Sequence, residues 1–155
     1  MYGFRGIHTN KLDAKGRVSI PARFRAVLEK DELNSVICYP SFKQDVVEAG
    51  GRRLMDELDG MLNRLDPYSD EREALSHALI GASEELLMDQ DGRVTLPESL
   101  REIAHVTSSV TFVGLGNKFQ FWQPEAYQDH YVQARAMARE NRFLLRSLNK
   151  GSGDG

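Results

Sequence analysis

A single cysteine, Cys38, excludes any disulfide within the chain. The four histidines, His8, His77, His105 and His130, are too scattered to join it in a zinc-ligand spacing. No apolar run approaches the roughly 20 residues that a bilayer span requires. The N-terminal stretch lacks the apolar core of a signal segment, because Arg5, Lys11, Asp13 and Lys15 interrupt it. Catalytic signatures are missing too. There is no HExxH, no P-loop and no complete dinucleotide fingerprint; Gly114-x-Gly116 lacks the third glycine and reads as a hairpin turn. An excess of positive charge is also absent, with 20 Lys plus Arg against 23 Asp plus Glu and a net charge of -3. Taken alone, that figure speaks against a polyanionic partner. What remains is a chain of 155 residues, 41% hydrophobic and 28% charged, near the average of globular proteins. That length suits one domain, or two small domains sharing a core, and needs no metal or disulfide to fold. The expectation is a cytoplasmic, non-enzymatic protein with no cofactor, no metal, no catalytic residues and no small-molecule substrate.

The chain repeats itself once. Asp13-Ala-Lys-Gly-Arg-Val-Ser-Ile-Pro21 returns as Asp89-Gln-Asp-Gly-Arg-Val-Thr-Leu-Pro97 at an offset of 76 residues, with five of nine positions identical. The match continues through the apolar pairs Phe24/Leu100 and Val36/Phe112, then drifts by about one residue to Glu48-Ala49 against Glu125-Ala126. In each copy a short strand (Ile7 to Leu12; Glu85 to Met88) enters an Asp-x-x-Gly-Arg turn. Asp13 and Asp89 open the turns with side-chain acceptors, and Gly16 and Gly92 supply positive φ. Arg17 to Ile20 alternates polar and apolar residues as a half-buried strand does, and Pro21 and Pro97 fit a first helical turn. Further strands are predicted over Ser35 to Tyr39, Ser109 to Val113 and Lys118 to Trp122, whereas Pro40 to Gln44 is less strand-like.

Helices join and end the copies. Leu54, Leu58, Met61, Leu62 and Leu65 fall at helical spacing within Asp45 to Leu65, and Gly50-Gly51 inside that stretch is an alternative start. Asp70 and Glu73 form a capping box for a second helix with Ala74, Leu75, Ala78 and Leu79 on its apolar face. A last helix runs from Pro124 to about Leu148, leaving Gly151 to Gly155 as a disordered tail. Its Arg135, Arg139, Arg142 and Arg146 form one basic face, best read as solvated. The predicted fold is α+β: two β-turn-β-α-β repeats, at 4–50 and 83–128, interleaving their hairpins. A helical connector spans 51–82, and the C-terminal helix and tail span 129–155.

The copies differ most in charge. Residues 1–30 hold seven bases (Arg5, Lys11, Lys15, Arg17, Arg23, Arg25 and Lys30) and two acids, giving +5. Residues 77–106 hold two bases and six acids, giving -4. Fold maintenance does not require this split, whereas a polyanion facing the first copy does, since counterion release depends on local charge. Arg17 and Lys15 lie on and beside a hairpin turn, where an Arg can make a bidentate contact with a guanine edge. Pairing with Asp89 across the turn is the simpler role for Arg93. Phe119, Phe121 and Trp122 read as core or subunit-interface residues rather than a base-stacking platform.

Phe4-Arg5-Gly6 followed by Leu12-Asp13-Ala-Lys15-Gly16-Arg17-Val-Ser-Ile20-Pro21 resembles the start of the MraZ family of bacterial transcriptional regulators. Phe112-Val113-Gly114-x-Gly-Asn117-Lys118-Phe119-x-x-Trp122 resembles its second half, so the likeness covers about residues 4 to 140. The resemblance implies an AbrB-like swapped-hairpin β-barrel and a ring-shaped homo-oligomer. Its partner would be double-stranded DNA, in repeated boxes upstream of a division and cell-wall gene cluster that includes its own gene, with repression as the usual outcome and nucleoid association as the location. Arg17 matches the family's DNA-contacting Arg, with Lys15 beside it and Arg5, Lys11, Arg23 and Arg25 as further candidates; Asp13, Gly16, Asp89, Gly92 and Arg93 are motif residues with structural roles. Asp91 stands where the first copy has Lys15, which argues against DNA contact by the second turn. The alternative is an AbrB-like antidote-type module whose main partner is a protein. A phosphate-based footprint predicts that log K falls steeply and linearly with log salt; a flat plot from a binding titration rules it out.

Overall fold

The structure, a computed structural model, describes residues 3–153, with side chains described through residue 148. Its first half contains β1 (Ile7–Lys11), β2 (Arg17–Ser19), α1 (Ala22–Lys30), β3 (Ser35–Pro40) and β4 (Val47–Gly50). Two connecting helices follow, α2 (Arg52–Leu62) and α3 (Asp70–Ser76), the latter continued by a π-helical turn over His77–Gly81. The second half repeats the first as β5 (Glu84–Leu87), β6 (Arg93–Thr95), α4 (Glu98–Ala104), β7 (Ser109–Gly114) and β8 (Phe119–Trp122). Helices α5 (Pro124–Glu140) and α6 (Phe143–Gly153) complete the chain. The chain divides into two units, Met1–Pro124 and Glu125–Gly155.

All strand pairs of the first unit are antiparallel, and most of them cross between copies. A six-stranded sheet runs β1-β7-β8-β4-β3-β5, and β2 pairs with β6 in a separate two-stranded ribbon. First-copy β1 pairs with second-copy β7, and second-copy β5 pairs with first-copy β3. The ribbon register is reciprocal: Arg17 faces Thr95, Ser19 faces Arg93, and Val18 faces its own repeat equivalent, Val94. The same self-pairing recurs where β4 meets β8, at Glu48 and Gln120. A local two-fold axis therefore passes through Val18–Val94 and Glu48–Gln120.

This arrangement gives both copies one core. Val18, Ile20, Phe24 and Leu28 of the first pack with Val94, Leu96, Leu100 and Ala104 of the second. Phe119 anchors it, with its ring 4.7 Å from Phe4, 4.8 Å from Phe24 and 5.7 Å from Phe121. Phe119, Phe121 and Trp122 are all buried, as core residues should be. A second cluster joins Leu54, Leu58 and Leu62 on one stripe of α2 to Tyr39 and Leu79. Strands β4 and β8 are buried on both faces, so their polar residues must find partners. Trp122 Nε1 donates to Gln120 Oε1 at 2.7 Å, Gln120 Nε2 donates to Glu48 Oε1 at 2.9 Å, and Lys118 Nζ lies 3.1 Å from Glu48 Oε2.

Several elements differ from the sequence expectations. The first long helix does not begin at Asp45; Val47–Gly50 is strand β4, and α2 starts after its N-cap, Gly51. A buried strand with a glutamate in it does not show the alternation that marks a half-exposed one. Met61 stays exposed on α2 and Leu65 lies exposed beyond its end, so only three of the five spaced apolar residues are buried. The cap of α3 is Ser69, whose Oγ accepts from Arg72 N at 3.2 Å, so Asp70 is the first helical residue. Pro21 and Pro97 are likewise N-caps, one position before the first turn. The repeat drifts toward shorter offsets, since α1 has nine residues and α4 seven, and the β3–β4 loop is longer than the β7–β8 loop. Glu125-Ala126 thus lies in α5 and is no counterpart of Glu48-Ala49.

In the second unit the last helix breaks at Asn141–Arg142, where Asn141 Nδ2 donates to Met137 O at 2.8 Å and Arg142 Nη1 to Arg139 O at 2.8 Å. The four arginines therefore do not share one continuous helical face. Helix α6 runs through Gly153, past the expected end at Leu148, and the last two residues of the expected tail lie outside the described residues.

The two motif turns are each closed by the opposite copy. Gly16 O accepts from Leu96 N–H at 2.8 Å, and Gly92 O accepts from Ile20 N–H at 2.9 Å. Gly92 has φ +77°, and a Cβ there would collide with Arg25 Nη1 from first-copy α1. Gly92→Ala should lower stability by about 1–2 kcal/mol through the left-handed backbone alone, plus a steric part. Adding Arg25→Ala should recover the steric part in a urea-denaturation double-mutant cycle; a strictly additive pair would contradict the crossed packing.

Candidate nucleic-acid interface

The motif Asp-x-x-Gly-Arg builds the same turn twice. In the first, Gly16 N–H donates to Asp13 O at 3.0 Å and Asp13 N–H donates to Arg17 O at 2.9 Å, with Gly16 at φ +82°. This is a tight turn ended by a left-handed residue that glycine adopts without strain. Lys15 N–H and Arg17 N–H both donate to Asp13 Oδ1, at 2.9 and 2.8 Å, and Arg17 Nε donates to Asp13 Oδ2 at 2.8 Å. In the second turn, Asp91 N–H and Arg93 N–H donate to Asp89 Oδ1, both at 2.9 Å, and Arg93 Nε donates to Asp89 Oδ2 at 3.1 Å. The Asp–Arg pairing expected for Arg93 is thus present in both copies.

Charge, not shape, separates the two turns. The Arg17 and Arg93 side chains are equally exposed, at 36% and 35%. Arg17 has one acidic partner and the exposed Lys15 beside it. Arg93 has two, since its Nη2 also lies 3.3 Å from Asp91 Oδ2. Because β2 and β6 are antiparallel, the Lys15 turn stands at one end of the ribbon and the Asp91 turn at the other. The turn at one end is basic and the turn at the other is acidic.

The remaining candidate cations do not gather at one point. Lys11 ends β1, exposed and close in sequence to the first turn, and Arg5 is exposed just before β1. Arg23 and Arg25 line an open groove with His8, Asn10 and Ser19. Arg25 reaches the acidic turn, where its Nη1 donates to Asp91 O at 3.3 Å. Arg101, the repeat equivalent of Arg25, packs over Gly16 in the same way, its Cζ 3.2 Å from where a Cβ would stand. Sequence reasoning missed Arg101, although the offset of 76 residues points to it. It also missed Ser19 and Thr95, which share the ribbon's outer face with Arg17 and Arg93 because residues paired across a ladder lie on one side.

Burial pushes the Cys38 thiol up to about 12, with the Glu84 carboxylate adding to the effect, so the thiol stays protonated at neutral pH. Among the described residues no group of three or more His, Cys, Asp or Glu is placed to hold a metal ion. No helix of the described residues is long and apolar enough to cross a membrane.

Fold and site together define an α+β protein that presents a two-stranded ribbon with one basic end. A family model described as "MraZ protein, putative antitoxin-like" matches residues 79–147. The "Transcriptional regulator MraZ" of Parvibaculum lavamentivorans is 49% identical over 148 residues, covering 95% of this chain and 92% of its own. Those of Methylocella silvestris and Azorhizobium caulinodans are 49% and 47% identical, covering 94% and 97% of this chain and 88% and 94% of their own. The chain belongs to the MraZ family.

The Asp13 carboxyl lies below its ordinary value chiefly because it accepts the Arg17 backbone N–H, and Asp89 likewise through Arg93. A carboxylate held low in the folded state stabilises above its unfolded pKa and loses that contribution as pH falls through the folded value. Wild type should therefore lose stability between about pH 5 and pH 3 more steeply than the double variant Asp13→Asn/Asp89→Asn. Thermal midpoints measured across that range check this; parallel curves would show that the two turns are not coupled to acid unfolding.

Proposed function

We propose that this chain is a transcriptional regulator that binds double-stranded DNA sequence-specifically through the basic end of the β2–β6 ribbon. The observation that carries the reading is the unequal charge at the two ends of a reciprocal ribbon. Arg17 and Lys15 face one acid where Arg93 faces two. A two-stranded ribbon fits the major groove, and the Asp13 contact on Nε leaves the two terminal amino groups of Arg17 for guanine O6 and N7. Among the described residues those two groups make no other hydrogen bond. Lys11, Lys15, Arg5 and Arg23 supply phosphate contacts, and Arg25, tied to the acidic turn, is the weakest of the six candidates.

The crossed strand pairing favours the AbrB-like swapped-hairpin barrel, with repeats at 4–50 and 83–128 joined by the 51–82 connector. One ribbon end offers few base contacts, so a single copy binds weakly. A ring-shaped homo-oligomer on repeated boxes makes later contacts intramolecular and raises avidity by about 10² to 10⁴. The boxes lie upstream of the chain's own gene in the division and cell-wall cluster, which the ring represses from the nucleoid. An antidote-type module with a protein partner is the second reading. It is favoured by the exposed apolar residues Val132, Met137, Phe143, Leu145 and Leu148 of the second unit. A stoichiometric copurifying protein that blocks DNA binding would support it.

A mobility-shift assay on DNA from upstream of the chain's own gene, with scrambled DNA as control, tests the first reading. Arg17→Ala should cost about 1–3 kcal/mol at each engaged ribbon and abolish the specific complex of the oligomer. Arg93→Ala should leave affinity near wild type. Equal losses, with both variants folded and oligomeric, would rule out the asymmetric reading.

A further inference from the structure

Thr95 stands directly opposite Arg17 in the ribbon ladder although it belongs to the copy with the acidic turn. Residues opposed in this way have Cβ atoms about 4.5–5.5 Å apart and share a face. The buried alternates Val18 and Val94 point to the core, so Arg17 and Thr95 both belong to the outer face. Thr95 is exposed, and its hydroxyl makes no hydrogen bond among the described residues. Its counterpart Ser19 is half-buried instead and lies opposite the twice-paired Arg93. The basic end of the ribbon is therefore composite: Arg17 comes from one copy and the polar side chain facing it from the other.

We infer that Thr95 is a second base-reading residue, which sets the preference at a base pair adjacent to the one met by Arg17. The inference rests on the DNA-binding reading given above. The spacing suits it, because a separation of about 4.5–5.5 Å falls between one and two base-pair steps of about 3.4 Å. The chemistry suits it as well. The hydroxyl can donate to or accept from any base edge, and the methyl can pack on a thymine C5-methyl. An uncharged residue there adds discrimination without adding to the charge that sets the salt slope.

The experiment uses the full-length chain and a pool of random-sequence duplex DNA, from which wild type, Thr95→Val, Thr95→Ser and Arg17→Ala each select bound sequences. Thr95→Val keeps the methyl group and removes the hydroxyl, while Thr95→Ser does the reverse. At least one of them should relax the preference at a single base pair, neighbouring the one lost in Arg17→Ala, by about tenfold. Affinity for an unrelated duplex and the salt slope should stay at the wild-type values. Wild-type preferences at every position in both Thr95 variants would overturn the inference, and so would a uniform loss of affinity for all sequences. A wild type that selects no motif, or an Arg17→Ala variant that keeps the whole motif, would overturn the underlying reading and this inference with it.

Discussion

The β2–β6 ladder is the constraint from which the rest of the first unit follows. Val18 pairs with Val94, its own equivalent, so every other contact in the ribbon must occur twice with the copies exchanged. That reciprocity sends β1 to β7 and β5 to β3, and it lets Ile20 and Leu96 close the turn of the opposite copy. It also lays Arg25 over Gly92 and Arg101 over Gly16. Neither copy owns a complete sheet, and the aromatic cluster around Phe119 draws rings from both. The second self-pairing, Glu48 with Gln120, places the buried polar network on the same axis.

Onto this near-symmetric frame the chain writes an asymmetric charge. Two turns that share their Asp-centred hydrogen bonds and the exposure of their arginines differ in charge by the replacement of Lys15 with Asp91. Shape is spent on the fold, since Asp13 and Asp89 each cap a turn and each pair with an arginine. What distinguishes the basic turn from the acidic one is therefore a side chain that the backbone does not need. This is also why a net charge of -3 says so little about the chain's partners.

Much of this was legible before any coordinates. The doubled motif marks both turns, the glycines announce their positive φ, and the offset of 76 residues holds through β2, β6 and the start of both short helices. The reading failed where a local pattern depends on burial from both sides. Val47 to Gly50 carries a glutamate and no alternation, because β4 is covered on both faces and its polar residue is hydrogen-bonded by Gln120 and ion-paired with Lys118. It failed again where two-residue differences in α1 and in the β3–β4 loop shift the repeat, and where a break at Asn141 interrupts the helix expected to run from Pro124 to Leu148. Among the site residues, Lys15 and Arg17 stand together at a turn as their spacing requires. The place of Thr95 beside Arg17 could not be read, because a cross-strand partner is a matter of register and the two lie in different copies.

The crossed pairing also dictates how the chain must be made. While it emerges from the ribosome, β1 to β4 have no lasting partners for β1 or β2 until residues 93–114 have been synthesised. The nascent first half therefore waits with unpaired strand edges and an open apolar face. Pairings so distant in sequence pay their loop-closure entropy before any contact rewards it, which slows folding. During that interval, two unfinished chains on neighbouring ribosomes can exchange the same hairpins that one finished chain exchanges with itself.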